Sequence, residues 1–184
     1  SLARGFGVVA KDRVAAGAAF ECVRRTELLL DHWGLQPPGV LRTGGLAVKD
    51  LKAVVTELHV DPHHAALLLE TAAQAGLLAQ GSDAEGGAVW LPTHAFDTWS
   101  AQTAAERWLT LARTWSVSPR LPGLVGSKDA AGKTRNALAP DAASVFVSEA
   151  RQSMLRALAA LGGGECLATG TGPPSLVGRP AWLR

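Results

Sequence analysis

The chain has few cysteines and no long apolar run, and each absence argues against a class of protein. Cys22 and Cys166 are its only two cysteines, and they form no CxxC or Cys/His spacing. A disulfide framework or a zinc site is therefore not indicated. No apolar run reaches the roughly 20 residues that a membrane-spanning helix needs, and the start SLARGFGVVAKDRV lacks the apolar core of a signal peptide. These absences predict a reducing, cytoplasmic setting with no membrane partner.

Positive charge is absent from the middle of the sequence. Between Ala53 and Glu106 there is no Lys or Arg, while seven acidic residues give this stretch a charge of −7. The flanks hold all 18 basic residues and the other nine acidic ones, so they carry +9 within a net charge of +2. This asymmetry says more about binding partners than the net charge does.

The length and composition predict a core that needs no disulfide or metal. Hydrophobic residues make up 47% of the 184 residues, enough for one domain or for one domain plus a smaller appendage. The chain begins without Met and ends at GRPAWLR with no terminus signal. We therefore expect a piece of a longer protein.

Apolar residues at helical spacing predict three helices in the first half. The first runs from about Ala15 to Trp33 and ends before a Pro-Pro-Gly cluster. A short strand in VLRTGG leads to a second helix, from about Ala47 to His59. Asp61 as N-cap, Pro62 at the first helical position and Gly76 as a left-handed end define the third.

A hairpin follows in GLLAQGSDAEGGAVWLPT, residues 76–93, where two short apolar strands flank a glycine-rich tip. Helix, short strand, helix, tight turn, helix and hairpin is the order of a winged helix. An unrelated helical bundle with one hairpin is the alternative. The predicted fold class is mainly α with a small β-hairpin, a winged helix-turn-helix with additional C-terminal helices.

Further helices are predicted after the hairpin. HAFDTWSAQ favours a short one, and Thr103 to Glu106 form a capping box that opens a stronger one. Trp108, Leu111, Ala112 and Trp115 lie on one side of that helix, which favours core packing over a base-stacking platform. A last helix, at about residues 143–161, precedes the loop-like GGGECLATGTGPPS.

These patterns divide the chain into four parts. Residues 1–14 are interpreted as a flexible or extended segment, and residues 15–119 as the winged-helix domain with appended helices. Residues 120–140, rich in Gly, Pro, Lys and Asp, are interpreted as a linker or loop. Residues 141–184 form a C-terminal helical segment, with the start of a further module as one interpretation.

No motif for catalysis is complete. VGSKDAAGKT ends like a phosphate-binding P-loop, but Ser127 stands where its first glycine belongs and Gly126 comes one residue too early. The stretch after it contains Pro140 and cannot supply the long helix whose N-terminus holds phosphate. His63 and His64 are adjacent, so they point apart on a helix. We predict no enzyme, no cofactor and no metal site.

Two stretches carry a family resemblance. VLRTGGLAVKDL and AERWLTLARTW resemble the helicase-associated, XPB-like helicase C-terminal-type domain proteins of high-GC bacteria. The resemblance covers most of the chain from about Phe20, including RQSMLRALAAL and SLVGRPAWLR. It implies a DNA-binding or helicase-associated role and supplies no catalytic residue.

The charges oppose the usual DNA-binding face of a winged helix. The third helix and the hairpin tip offer acidic and neutral side chains where phosphate contacts need Lys or Arg. One hypothesis is weak, salt-sensitive nucleic-acid binding through the basic flanks: Arg24, Arg25, Arg42, Lys49, Lys52, Arg120, Lys128, Lys133 and Arg135. The alternative is a protein-interaction or scaffold module without DNA affinity, whose surface includes His63, Leu67, Glu70, Gln74, Asp83 and Glu85.

Overall fold

The computed structural model describes residues 8–162, with side chains from residue 12 onward. This part of the chain is mainly helical, with one small two-stranded antiparallel sheet. Its elements are α1 (Val8–Leu35), α2 (Val48–Leu58), α3 (Pro62–Gln74), β1 (Leu78–Ser82), β2 (Ala88–Pro92), α4 (His94–Ser100), α5 (Ala104–Val117), a 3-10 turn (Pro122–Leu124) and α6 (Phe146–Ala159). Within these residues no helix is both long enough and apolar enough to cross a bilayer.

The helices follow the sequence prediction closely, except at the start of α1. Because α1 begins at Val8, the predicted start at about Ala15 is wrong. Residues 8–14 are helical and not extended, since they contain neither Pro nor Gly. Gly17 lies inside the helix, where an interior glycine costs about 1 kcal/mol relative to alanine and does not by itself end it.

The predicted ends of α3 are confirmed. The Asp61 carboxylate accepts hydrogen bonds from the backbone N–H groups of His63 and His64 at 2.9 and 3.0 Å. The bond from His64, together with the one from His63, holds the pKa of the Asp61 carboxyl below its ordinary value. Gly76 ends the helix in the left-handed region, at φ +73°.

Replacing Asp61 by alanine is expected to destabilise the protein by about 1 kcal/mol at neutral pH, because two N–H groups lose their acceptor. Since folding lowers the pKa of this carboxyl, its contribution is fully present above the unfolded-state pKa of about 4 and is lost as the pH falls through the lower pKa of the folded state. Urea unfolding at several pH values measures the difference. Asp61→Asn, which keeps the cap without the charge, should match the parent at neutral pH; an equal loss in both variants would contradict the cap.

Helix α3 is the central element of the fold. It buries Ala65, Leu68 and Leu69, which belong to the same core cluster as Leu29 and Leu30 of α1. Contacts with α1, α2, α5, β1 and the 3-10 turn surround it. An amphipathic surface helix has one apolar stripe, whereas α3 is packed on several sides.

The hairpin is the small sheet, and a third segment lies along its edge. β1 and β2 pair antiparallel, with Leu78 opposite Pro92 and Ser82 opposite Ala88. The short strand predicted in VLRTGG appears as isolated bridges, with Val40 N–H donating to Ala88 O at 2.8 Å. Trp90 N–H donates to Pro38 O at 2.9 Å, so residues 38–40 join α1 to the hairpin.

The predicted capping box of α5 is confirmed. Thr103 Oγ1 accepts from Glu106 N–H at 3.3 Å, and Glu106 Oε2 accepts from Thr103 N–H at 2.9 Å. Helix α6 forms as predicted and is a few residues shorter at each end. The GTG at residues 170–172 and Cys166, with most of the predicted glycine-rich loop, lie outside the described residues.

Candidate nucleic-acid interface

Two arginines on α1 share one carboxylate. Arg24 Nη2 lies 2.9 Å and Arg25 Nε lies 3.5 Å from Glu21 Oε2. The hydrogen bond from Arg24 lowers the pKa of the Glu21 carboxyl, which therefore stays ionised beside them. This part of the predicted basic flank thus carries less net charge than its arginines suggest.

Glu70 and Arg120 form a buried ion pair. The prediction that Glu70 lies on the outer side of α3 is wrong, because only 2% of it is exposed. The prediction that Arg120 offers its charge to nucleic acid is wrong for the same reason, since its exposure is 9%. Arg120 Nε lies 2.6 Å from Glu70 Oε2, and Arg120 Nη2 lies 2.9 Å from Glu70 Oε1. Each residue supplies the counter-charge that burial of the other requires.

The same pair fixes the segment that follows α5. Glu70 Oε1 also accepts from Leu138 N–H at 2.7 Å, and Arg120 Nη2 donates to Ala139 O at 2.6 Å. Residues 120–140, predicted as a linker or loop, therefore lie against α3 and bury several apolar residues there, among them Leu121, Val125 and Leu138. We call residues 118–140 the strap; it covers the face of α3 that carries Glu70.

Arg151 on α6 is a second buried arginine, and sequence reasoning did not single it out. Its Nη1 donates to Ser118 O at 2.7 Å and to Trp115 O at 3.0 Å, and its Nη2 donates to Arg120 O at 2.7 Å. Its guanidinium lies 5.1 Å from the centre of the Trp115 ring, and burial lowers the pKa of Arg151. The signal for it was its position four residues after Val147, on the buried face of α6.

The residues predicted as a protein-interaction surface do not form one face. His63, Gln74 and Glu85 are exposed, whereas Leu67 lines an apolar cavity and Glu70 is buried. These positions lie at the two ends of α3, at its buried centre and at the hairpin tip. Three of the predicted residues thus face solvent without being brought together.

Asp83, at the hairpin tip, binds the backbone of its own turn through its carboxylate. One oxygen of its carboxylate accepts from Gly87 N–H at 2.6 Å and from Glu85 N–H at 3.1 Å. Gly86 stands in the left-handed region at φ +83°. Asp83 therefore closes the turn, as aspartate commonly does in loops.

The P-loop-like stretch VGSKDAAGKT folds into a similar turn, which is closed by Asp129. Asp129 Oδ1 accepts from Lys133 N–H at 2.8 Å and from Ala131 N–H at 2.9 Å, and Gly132 has φ +78°. A bridge between Lys128 and Thr134 makes this loop a small hairpin. Since no helix begins directly after Lys133, the geometry that cradles phosphate in a P-loop is absent from residues 126–135.

The remaining basic residues lie on two neighbouring parts of the fold. Leu46 N–H donates to Ala137 O at 2.8 Å, which joins the turn before α2 to the strap. A methyl group added to Gly45 would lie 3.2 Å from the Asn136 side chain and 3.0 Å from Ala139. The turn, α2 and the strap carry the remaining basic residues of the prediction, which we call the basic surface: Arg42, Lys49, Lys52, Lys128, Lys133 and Arg135.

These six side chains are open to different degrees. Five are exposed, and Arg135 is half-buried, with its Nη1 donating to Lys128 O at 2.8 Å. Lys128 Nζ donates to Thr134 Oγ1 at 2.7 Å. Between residues 12 and 162 none of the six forms an ion pair, so their charge is not cancelled within that range.

Comparison with known proteins gives no relative from which a site could be transferred. No protein-family model, curated protein or solved structure matches this chain. The interpretation of the site therefore rests on its geometry.

Proposed function

We propose that the chain is a non-catalytic winged-helix accessory module of a DNA-associated, helicase-associated protein. In this proposal it contacts nucleic acid through the basic surface. The observation that carries it is that the basic surface is open: five of its six side chains are exposed, and none forms an ion pair between residues 12 and 162. The ion pair between Glu70 and Arg120, in contrast, holds the strap over α3.

The winged-helix assignment is supported by the order of the elements and by one connection. α1, the bridged residues 38–40, α2, a tight turn, α3 and the hairpin follow one another as that motif requires. The hydrogen bond from Val40 N–H to Ala88 O places the segment between α1 and α2 beside the hairpin. Helices α4, α5 and α6 are then additions to the motif.

The usual docking face is disfavoured by packing as well as by charge. A winged helix that reads the major groove inserts the exposed face of its second motif helix, which here is α3. That helix contains no Lys or Arg, and the strap covers the part that carries Glu70. At the hairpin tip, Glu85 is exposed and would repel phosphate.

We expect labelled single-stranded or duplex DNA to bind weakly and with a strong salt dependence. On duplex DNA each phosphate contact contributes about 0.9 to the slope of log K against log salt, so Lys49→Glu with Lys52→Glu should lower that slope by about 1.8 and weaken binding at low salt. Fluorescence anisotropy in about 50 and about 200 mM salt measures both quantities.

A matched control changes the same amount of charge elsewhere. Arg113→Glu with Arg156→Glu lies on exposed positions of α5 and α6, and should retain most of the affinity. Equal losses in both double variants would show that binding is not localised to the basic surface. If the folded parent chain binds neither DNA form at low salt, nucleic-acid binding by this chain is refuted.

A protein-interaction role is the second candidate, supported by the exposed positions His63, Gln74 and Glu85 in a stretch without basic residues. A partner for this region would be basic, by charge complementarity. It predicts no DNA binding by the parent chain, so the same titration separates the two functions.

A further inference from the structure

A second feature lies away from the basic surface: an apolar cavity of about 350 Å³ between α1, α3, α5 and α6. Helix α5 contributes Trp108 and Trp115, and Leu67 of α3 and Leu155 of α6 close other sides. Trp108 and Leu155 are 39% and 38% exposed, so the mouth opens between α5 and α6. The four residues predicted to share one side of α5 all line this space, and Leu111 is buried in the hydrophobic core as well.

The cavity has no charged lining. Its polar groups are the hydroxyls of Thr26 and Thr71 and the thiol of Cys22, and burial raises the pKa of that thiol so that it stays neutral. An ionised molecule that entered would lose its hydration without gaining a counter-charge. Charge complementarity therefore selects an uncharged ligand.

One hydrogen-bonding group in the wall is available. Thr26 Oγ1 already donates to Cys22 O at 2.9 Å. The Thr71 side chain makes no hydrogen bond with any residue from 12 to 162, and it is half-buried. A ligand could thus satisfy one hydroxyl and would otherwise meet apolar atoms.

The size of the cavity suits a small aromatic molecule. Ligand sites commonly measure about 300–1,000 Å³, and a dry apolar cavity of about 150 Å³ already admits benzene. Two indole side chains from α5 line the cavity, and aromatic rings pack favourably against one another. Protein interiors seldom leave a space of this size unfilled.

We propose that this cavity binds an uncharged aromatic molecule of one or two rings with one hydrogen-bonding group, held against Trp108 and Trp115 and bonded to Thr71. The proposal is independent of nucleic-acid binding, because none of its residues belongs to the basic surface.

Calorimetric titration of the full chain with 2-naphthol tests it. We expect one molecule per chain with a Kd of about 0.1 mM. Naphthalene-2-sulfonate, which has the same rings and a charge, should bind at least about tenfold more weakly. If 2-naphthol does not bind, or if both bind equally, the proposal is overturned.

Two variants and one control test whether 2-naphthol binds in this cavity. Ala112→Leu fills the cavity from α5 and should lower the affinity by about tenfold or more, whereas Ala105→Leu, at an exposed position of the same helix, should not. Thr71→Val, which keeps the shape, should weaken 2-naphthol binding about fivefold and decides the test if Ala112→Leu fails to fold. Unchanged affinity in the folded variants would overturn the proposal.

Sedimentation velocity separates the ligand from another occupant. We expect the parent chain and Ala112→Leu to have the same oligomeric state. If the parent is a dimer that Ala112→Leu dissociates, a second copy covers the cavity and the proposal is overturned.

Discussion

Replacing Glu70 by alanine is expected to lower the free energy of unfolding by about 3–5 kcal/mol. The change leaves the Arg120 guanidinium buried without its carboxylate, and Leu138 N–H loses its acceptor at the same time. A domain of this size is stable by about 5–15 kcal/mol, so the loss is a large share of the total. Urea unfolding followed by circular dichroism measures it.

Glu57→Ala serves as the control for that variant. Glu57 lies on α2 with its carboxylate 3.3 Å from His32 Nδ1, and both side chains are partly exposed. Its removal should leave the unfolding midpoint nearly unchanged, because exposed pairs contribute little. A double-mutant cycle on Glu70 and Arg120 should give a coupling of about 2 kcal/mol or more; additive effects would show that the two do not stabilise each other.

Replacing Arg151 by methionine should destabilise the chain by about 2–4 kcal/mol, because three carbonyl groups lose charge-assisted donors. Trp115 also loses the cation over its ring, 5.1 Å from the ring centre. The midpoint of urea unfolding should therefore fall. The indole fluorescence of the folded chain should also change, since Trp115 packs directly against this side chain.

The comparison for Arg151 is Arg156 on the same helix. Arg156→Met removes an exposed arginine and should leave the midpoint within about 0.5 kcal/mol of the parent. If Arg151→Met behaves in the same way, α6 is not held to the strap as the distances indicate.

Local signals in the sequence predicted the elements well. The cap at Asp61, the left-handed Gly76 and the box of Thr103 with Glu106 each act within a few residues, so their geometry can be inferred without the rest of the fold. The start of α1 was placed too late, at about Ala15, although residues 8–14 contain no Pro or Gly that would stop a helix.

Long-range packing explains most of the differences between the predicted and the observed candidate site. Glu70 finds its partner 50 residues away, and no pattern near either residue indicates the pairing. Glycine, proline and charged residues in the strap are typical of a surface loop, yet that segment buries Leu121 and Leu138. The exposure of Lys49 and Lys52 agreed with prediction because their positions lie off the apolar stripe of α2.

The strap also bears on how this chain could change over evolution. Its composition resembles a join between modules, but a break after residue 119 would separate Glu70 from the cation that neutralises it. Replacement of the segment after residue 119 by an unrelated one would therefore leave the Glu70 carboxylate buried without its counter-charge. Inserted residues would be tolerated better in the turn closed by Asp129. Residues 130–132 of that turn are exposed, so a longer turn would extend into solvent.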